Sequence, residues 1–162
     1  MIRRPAQAVS LRSAVDGDAP FLLRVYASTR EEELAQAPWT PAEKEAFVRM
    51  QFEAQDAHYR AHYPQAQRYV IEVDGADAGR LYVDRHSSEE LRIMDLALVP
   101  EYRALGAGRT LLEALLREGQ ESGRAVRIHV EKHNRALALY ERLGFRAIAD
   151  RGVYWFLEWP AA

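Results

Sequence analysis

The stretch from Asp95 to Leu116 constrains this chain more than any other. Leu91, Ile93, Leu96, Leu98 and Val99 read as an apolar strand, and Pro100 stops it. A short turn leads into Arg103-Ala104-Leu105-Gly106-Ala107-Gly108, and then into an apolar helix through Leu111, Leu112, Leu115 and Leu116. A strand that passes through a glycine loop into a helix leaves several N–H groups without partners, all aimed one way. Those donors and the helix dipole together favour an anion. The centre of the chain therefore reads as a phosphate cradle.

The flanking sequence sets the sheet around it. Residues 1–8 read as a loose arm, and residues 8–13 as a first strand. Asp16-Gly17-Asp18 is a turn and cap before a helix from Ala19 to Thr29, with Phe21, Leu22, Val25 and Tyr26 at helical spacing. Arg30 to Leu34 either extends that helix or forms a loop. Thr40-Pro41 with Glu43 is a capping box that opens a long helix to His62, ended by Tyr63-Pro64. On it, Val48, Phe52, Tyr59 and Tyr63 read as the inward face, and Gln51, Gln55, His58 and His62 as a polar stripe. The period then changes to two. Strands are expected at 68–73 and 79–84 around an Asp74-Gly75 hairpin, then the central strand after a Ser87–Glu90 turn. The glycine-loop helix stops at Ser122-Gly123. A strand at 125–130, a helix from Asn134 to Leu143 and strands at 146–149 and 153–159 close the chain.

The expected architecture is α/β (α+β): a mixed, mostly antiparallel seven-stranded sheet with helices on both faces. Its order is strand, two helices, three antiparallel strands, helix, strand, helix, two strands. The central strand and the 125–130 strand are joined by a parallel crossover through the glycine-loop helix.

Composition narrows the function. At 162 residues, with 48% hydrophobic and 28% charged residues, one domain can bury a real core. A net charge of −2 gives no basic field for nucleic acid. Without cysteine there is no thiolate catalysis and no disulfide, which fits a cytoplasmic location. Met1 to Pro5 lacks the apolar run of a signal peptide, and no window is long enough to span a membrane. His58 and His62 have zinc-like spacing but no third ligand nearby, so no metal is expected.

Two nucleotide motifs are excluded by their own chemistry. A Walker loop ends in Gly-Lys-Ser/Thr, whereas this one ends Gly108-Arg109-Thr110. A dinucleotide loop needs a third glycine where Leu111 stands. What remains is Val99-Pro100-Glu101-Tyr102-Arg103-Ala104-Leu105-Gly106-Ala107-Gly108 before a leucine-rich helix. A second motif follows one crossover later, Asn134-Arg135-Ala136-Leu137-Ala138-Leu139-Tyr140-Glu141-Arg142-Leu143-Gly144-Phe145. Together they resemble the GNAT (Gcn5-related) N-acetyltransferases.

The resemblance implies a set of roles. Arg103, Ala104, Leu105, Gly106, Ala107 and Gly108 match the loop whose amides hold the pyrophosphate of coenzyme A, with Arg109 and Thr110 in the following turn. The pantetheine arm of acetyl-CoA is expected along Leu96, Leu98 and Val99, where the two parallel strands splay. Tyr140 matches the acid beside the thioester sulfur. Asn134 matches a cofactor contact, one residue closer to the tyrosine than in the commonest spacing, so His133 is an alternative. Asp95 is the first candidate for the base, sharing a face with Ile93 and Ala97 by period two. Glu72 on a neighbouring strand, His129 and a bound water are alternatives. The implied activity is acetyl transfer from acetyl-CoA to a primary amine by direct attack in a ternary complex. A small-molecule amine is the favoured acceptor. Protein N-termini or lysines, and a non-catalytic acyl-CoA sensor, are the rivals. The acceptor walls are expected at Arg30–Trp39, the polar stripe and Tyr154. A monomer and a homodimer both remain open.

Overall fold

In a computed structural model, residues 7–160 are described; residues 1–6 of the expected arm lie outside them. The strands are Val9–Ser13 (β1), Gln67–Val73 (β2), Ala76–Asp84 (β3), Glu90–Leu98 (β4), Ala125–Glu131 (β5), Arg146–Arg151 (β6) and Tyr154–Trp159 (β7). They form one sheet in the order β1-β2-β3-β4-β5-β7-β6. Only the β4–β5 pair is parallel. Asp74 and Gly75 have φ of 50° and 82°, the left-handed pair that a tight β2–β3 hairpin requires.

The helices are Ala19–Ser28 (α1), Glu31–Ala35 (α2), Pro41–His62 (α3), Ala107–Ser122 (α4) and Leu137–Leu143 (α5). The Arg30–Leu34 segment is thus neither an extension nor a loop but a short helix of its own. Its separation has a local cause: the Ser28 and Thr29 hydroxyls donate back to the carbonyls of Val25 and Tyr26 and end α1. The capping box of α3 forms as expected, with Thr40 Oγ1 accepting from the Glu43 amide at 3.2 Å. Helix α5 begins three residues later than expected. Asn134 Oδ1 accepts the Ala136 amide at 2.8 Å, an Asx turn that replaces the first helical turn.

One face of the sheet carries the main core. Leu111, Leu112, Leu115 and Leu116 of α4 pack with Leu81, Val83, Leu91, Ile93, Val126, Ile128 and Val130, and α5 adds Tyr140. Each buried leucine stabilises by about 1.5–3 kcal/mol. On the other face, Leu22, Val25 and Tyr26 of α1 and Val48 of α3 are buried.

Two features of β4 position the site. Tyr82 pairs with Asp95, yet its neighbour Val83 pairs with Ile93, so Met94 is an extra residue and β4 bulges there. A bulge bends a strand and increases its twist. Strands β4 and β5 pair only from Glu90–Ile93 to Ala125–Ile128. Beyond that point they part, and a gap opens between Leu96–Leu98 and His129–Glu131. The bulge also corrects a sequence expectation. Asp95 shares a face with Tyr82, whereas Ile93 shares one with Val83, so Asp95 and Ile93 lie on opposite faces. The extra residue breaks the period of two between them.

Candidate active site

The parted strands leave backbone groups to be satisfied. The Val99 amide donates to Ala78 O at 2.9 Å, toward β3. Alternation along an antiparallel ladder then turns the amides and carbonyls of Leu96 and Leu98 toward the gap. Arg103 Nε donates to Leu98 O at 2.9 Å. Val99 does not fit the contact expected of it. Its carbonyl accepts from Tyr102 and its amide is held by Ala78, so both of its backbone groups are committed inside the protein.

At the end of β4 the chain turns through Pro100–Tyr102 into the cradle. Ala104 has φ of 61° and Gly106 has φ of 93°. The left-handed residues curl the backbone so that successive N–H groups converge, the geometry of an anion nest. The first intrahelical bond of α4 runs from Thr110 N to Gly106 O at 3.0 Å. None of the amides of Ala104, Leu105, Gly106, Ala107, Gly108 and Arg109 has an acceptor among the described residues. A Cβ on Gly106 would enter open space, with no atom within 4 Å, and a Cβ on Gly108 would come no nearer than 3.9 Å to Leu98. The loop therefore fits a pyrophosphate: its donors are free and nothing of the protein fills the concavity.

The side chains around the cradle are arranged less simply. Arg103 turns away toward α1, where Nη2 donates to Ser28 O at 3.2 Å and Ser28 Oγ at 3.1 Å. Arg109 pairs with Glu113 at 2.8 Å, and the Thr110 hydroxyl donates back to Gly106 O at 3.0 Å. In this structure the cradle is built from backbone, and its arginines serve the surrounding frame.

Tyr140 stands on α5, only 4% exposed, edge-on to Phe145 at 5.4 Å between centroids. Burial pushes its phenol well above the ordinary value, and the charge of Asp95 pushes it the same way. The phenol therefore keeps its proton throughout the physiological range and is available as a donor. Asn134 and His133 lie in the exposed turn between β5 and α5, with Asn134 Oδ1 already engaged by its own turn.

Asp95 reaches the opposite face of β4 and pairs with the guanidinium of Arg80. Arg80 is 1% exposed, donates to Gln55 Oε1 at 2.9 Å, and lies over the rings of Tyr82 and Tyr26, 4.9 and 5.5 Å from their centroids. Tyr59 of α3 donates to the carbonyl of the bulge residue Met94 at 3.4 Å. Its phenol is raised by burial and then by Asp95. Asp95 is thus the shared charged neighbour of Tyr59, Tyr82 and Tyr140. Arg80 is a residue the sequence reading missed. Its only signal is a charge inside the strand Gly79-Arg80-Leu81-Tyr82-Val83, and without the β3–β4 register nothing sets it against Asp95.

The alternative bases separate cleanly. Glu72 is misplaced: β3 lies between its strand and β4, and its carboxylate is 3.9 Å from Arg12, near Asp77. His129 stands where β5 leaves β4, stacked on Phe156 at 4.4 Å. Burial, then the charges of Arg92 and Arg151, lowers its pKa, so the ring favours its neutral form.

Over the gap runs the α1–α2 connection. Arg30 approaches Glu131 of β5 at 3.4 Å, and Arg135, in the turn before α5, holds Glu32 at 2.8 Å. The polar stripe of α3 divides. Gln51 and Gln55 turn to the sheet and meet Tyr26 and Arg80, whereas His58 and His62 face outward, 4.4 Å apart. No group of three or more metal-ligating side chains occurs among the described residues. A hollow of about 480 Å³ lies between α1, α2 and α3, lined by Leu23, Ala27, Leu34 and Val48, and it includes none of the expected catalytic or cofactor residues.

A sheet parted at a bulge, with a nest of acceptor-less amides at the end of one parted strand, has the layout of a site for a phosphate-bearing ligand. The family follows. A model of the acetyltransferase (GNAT) domain matches residues 27–155, and the chain belongs to that family. Among solved structures, the PaiA N-acetyltransferase of Thermoplasma acidophilum, in complex with coenzyme A, superposes with a TM-score of 0.70. It is 17% identical over 93% of this chain and 98% of that one. An acetyltransferase from Thermus thermophilus gives 0.65 at 23% identity, over 93% and 94%. The ribosomal-protein-S18-alanine N-acetyltransferase of Escherichia coli gives 0.61 at 22%, over 96% and 95%. No curated protein matches in sequence. Among the described residues no helix is long and apolar enough to cross a membrane.

Proposed function

We propose that this protein is an acetyl-CoA-dependent N-acetyltransferase, acting as one domain, that modifies a primary amine on a small molecule. The observation that carries the reading is the row of acceptor-less amides from Ala104 to Arg109 at the end of a strand parted from its neighbour. The pyrophosphate of the donor sits on those amides. The pantetheine arm continues the sheet along the backbone of Leu96 and the amide of Leu98, the Leu98 carbonyl being held by Arg103, as an added strand does. The thioester then lies between Asp95 and Tyr140.

Transfer is direct. The neutral amine attacks the acetyl carbon, the carbon–sulfur bond breaks, and the leaving sulfur takes a proton from the Tyr140 phenol. Burial keeps that phenol protonated until this moment. The amine's own proton passes to Asp95, directly or through a water, and Arg80 fixes that carboxylate at the gap. His129 is the second candidate, favoured by its neutral ring at the parting of β4 and β5. Comparing kcat of Asp95→Asn with that of His129→Gln at saturating acetyl-CoA separates them: loss of the true base should cost roughly a hundredfold, and loss of the other far less.

Release of free thiol from acetyl-CoA across a panel of amines tests the whole reading. Turnover with at least one small amine is the expected result. Binding of acetyl-CoA without thiol release for any amine would favour an acyl-CoA sensor, and turnover confined to peptides would favour a protein acceptor.

A further inference from the structure

We propose that Arg151, with Arg92, forms an anion seat for the acceptor: the amine to be acetylated carries a carboxylate or phosphate that docks on these guanidiniums. This rests on the acetyltransferase reading and deepens it by naming a substrate class. The seat lies on the face of the sheet opposite α4, where β4 parts from β5. His129 and Phe156 are directly paired across β5 and β7. The Arg92 guanidinium lies 4.8 Å from the Phe156 ring centroid and the Arg151 guanidinium 5.5 Å from it. Two cations thus converge on one aromatic floor, beside the first β5 residue past the last β4–β5 pair.

The acids nearby are already committed. Glu90 is shared by Arg92 and Arg127, and Glu158 is held by Arg127 at 2.8 Å. Asp150 is taken by Lys132 at 2.7 Å, and Glu131 faces Arg30. That leaves Arg151 exposed and without a hydrogen bond or ion pair among the described residues, and it leaves Arg92 Nε buried without an acceptor. The guanidiniums of Arg92, Arg127 and Arg151 have only the carboxylates of Glu90 and Glu158 to balance them, so positive charge is left in excess beside the ring. That excess makes a local positive field at the mouth of the gap, where a planar guanidinium matches the oxygens of a carboxylate or phosphate. The same field reaches His129, whose protonation both arginines oppose. An acceptor anchored here by its anion presents its amine toward Asp95.

Titration calorimetry on the coenzyme A complex tests the seat with matched amines: L-alanine against ethylamine, L-phenylalanine against phenethylamine, and phosphoethanolamine against ethanolamine. In at least one pair the anionic member should bind tenfold or more tightly. Arg151→Gln should bring that member within about threefold of its neutral partner, Arg151→Lys should restore part of the difference, and both should leave coenzyme A affinity as it was. No difference within any pair, or a difference that survives Arg151→Gln, overturns the proposal. Thiol release measured on the same amines keeps the two readings apart. Discrimination in binding without turnover contradicts the transferase and leaves the seat standing. Turnover without discrimination does the reverse. The alanine and phosphoethanolamine arms distinguish a carboxylate from a phosphate.

Discussion

The proposed donor and acceptor sides of the gap are built from different materials. The donor side is backbone: the free amides of Ala104 to Arg109 and the exposed edge of Leu96 and Leu98, held by the apolar packing of α4. The acceptor side is side chains and charge: Arg80 with Asp95, Arg30 with Glu131, and Arg92 and Arg151 around Phe156. A backbone site needs a short run of residues with the right φ, so it is compact in sequence. A side-chain site is assembled from several strands and depends on register. The donor side is accordingly suited to one ligand common to many enzymes, and the acceptor side to change.

Substitutions can break this contrast or sharpen it. The largest effect is expected from Arg80→Met, which leaves Asp95 without its cation. Breaking a buried ion pair by one partner costs about 3–5 kcal/mol, to be read from urea denaturation. A loss below about 1 kcal/mol would show that the acceptor side does not depend on buried charge. Next is Gly106→Val. Its side chain would occupy the open cradle, and its strain at positive φ costs only about 1–2 kcal/mol, so the protein should fold. Acetyl-CoA affinity should fall by roughly a hundredfold, ~3 kcal/mol. Retained affinity would place the donor site elsewhere.

Tyr140→Phe should lower kcat by roughly a hundredfold, at the lower end of general-acid effects, with little change in acetyl-CoA affinity. Unchanged kcat would make Tyr140 a packing residue only. Arg30→Gln removes a half-buried ion pair over the gap and should cost on the order of 1 kcal/mol of stability. It should raise the acceptor KM more than the acetyl-CoA KM. The smallest effect concerns His129. Because its folded pKa lies below the unfolded value of about 6.5, the unfolded chain binds more protons and stability falls as the pH drops through that value. Denaturation of His129→Gln as a function of pH should show a shallower acid-side decline than the parent.

The same contrast explains what was legible in the sequence. Gly106, Gly108 and the spaced leucines of α4 signal the cradle within a dozen residues, and the alternation of β2 to β5 gives the sheet. The shift in spacing from Ile93 to Leu96 already contains the β4 bulge; a strict period of two set Asp95 with Ala97, as the register has it, but also with Ile93, which lies on the other face. Val99 reads like its neighbours, and only the ladder to Ala78 and the turn to Tyr102 commit its backbone. Glu72 and Arg80 fail for one reason in opposite senses. Strand order removes Glu72 from the gap, and strand register brings Arg80 to it, and neither is a local property. Helix α2 and the late start of α5 depend on hydroxyl and amide bonds back to the main chain, which composition does not distinguish from ordinary helix.

Amide hydrogen exchange, measured with and without acetyl-CoA, tests the central claim most directly. In the free protein the amides of Ala104 to Arg109 have no acceptor and should exchange rapidly, in contrast to the interior of α4. Acetyl-CoA should protect that run together with Leu96 and Leu98, and Gly106→Val should abolish the protection. Saturating acetyl-CoA that leaves Ala104 to Arg109 exchanging as before, or protects a different loop, would contradict the account.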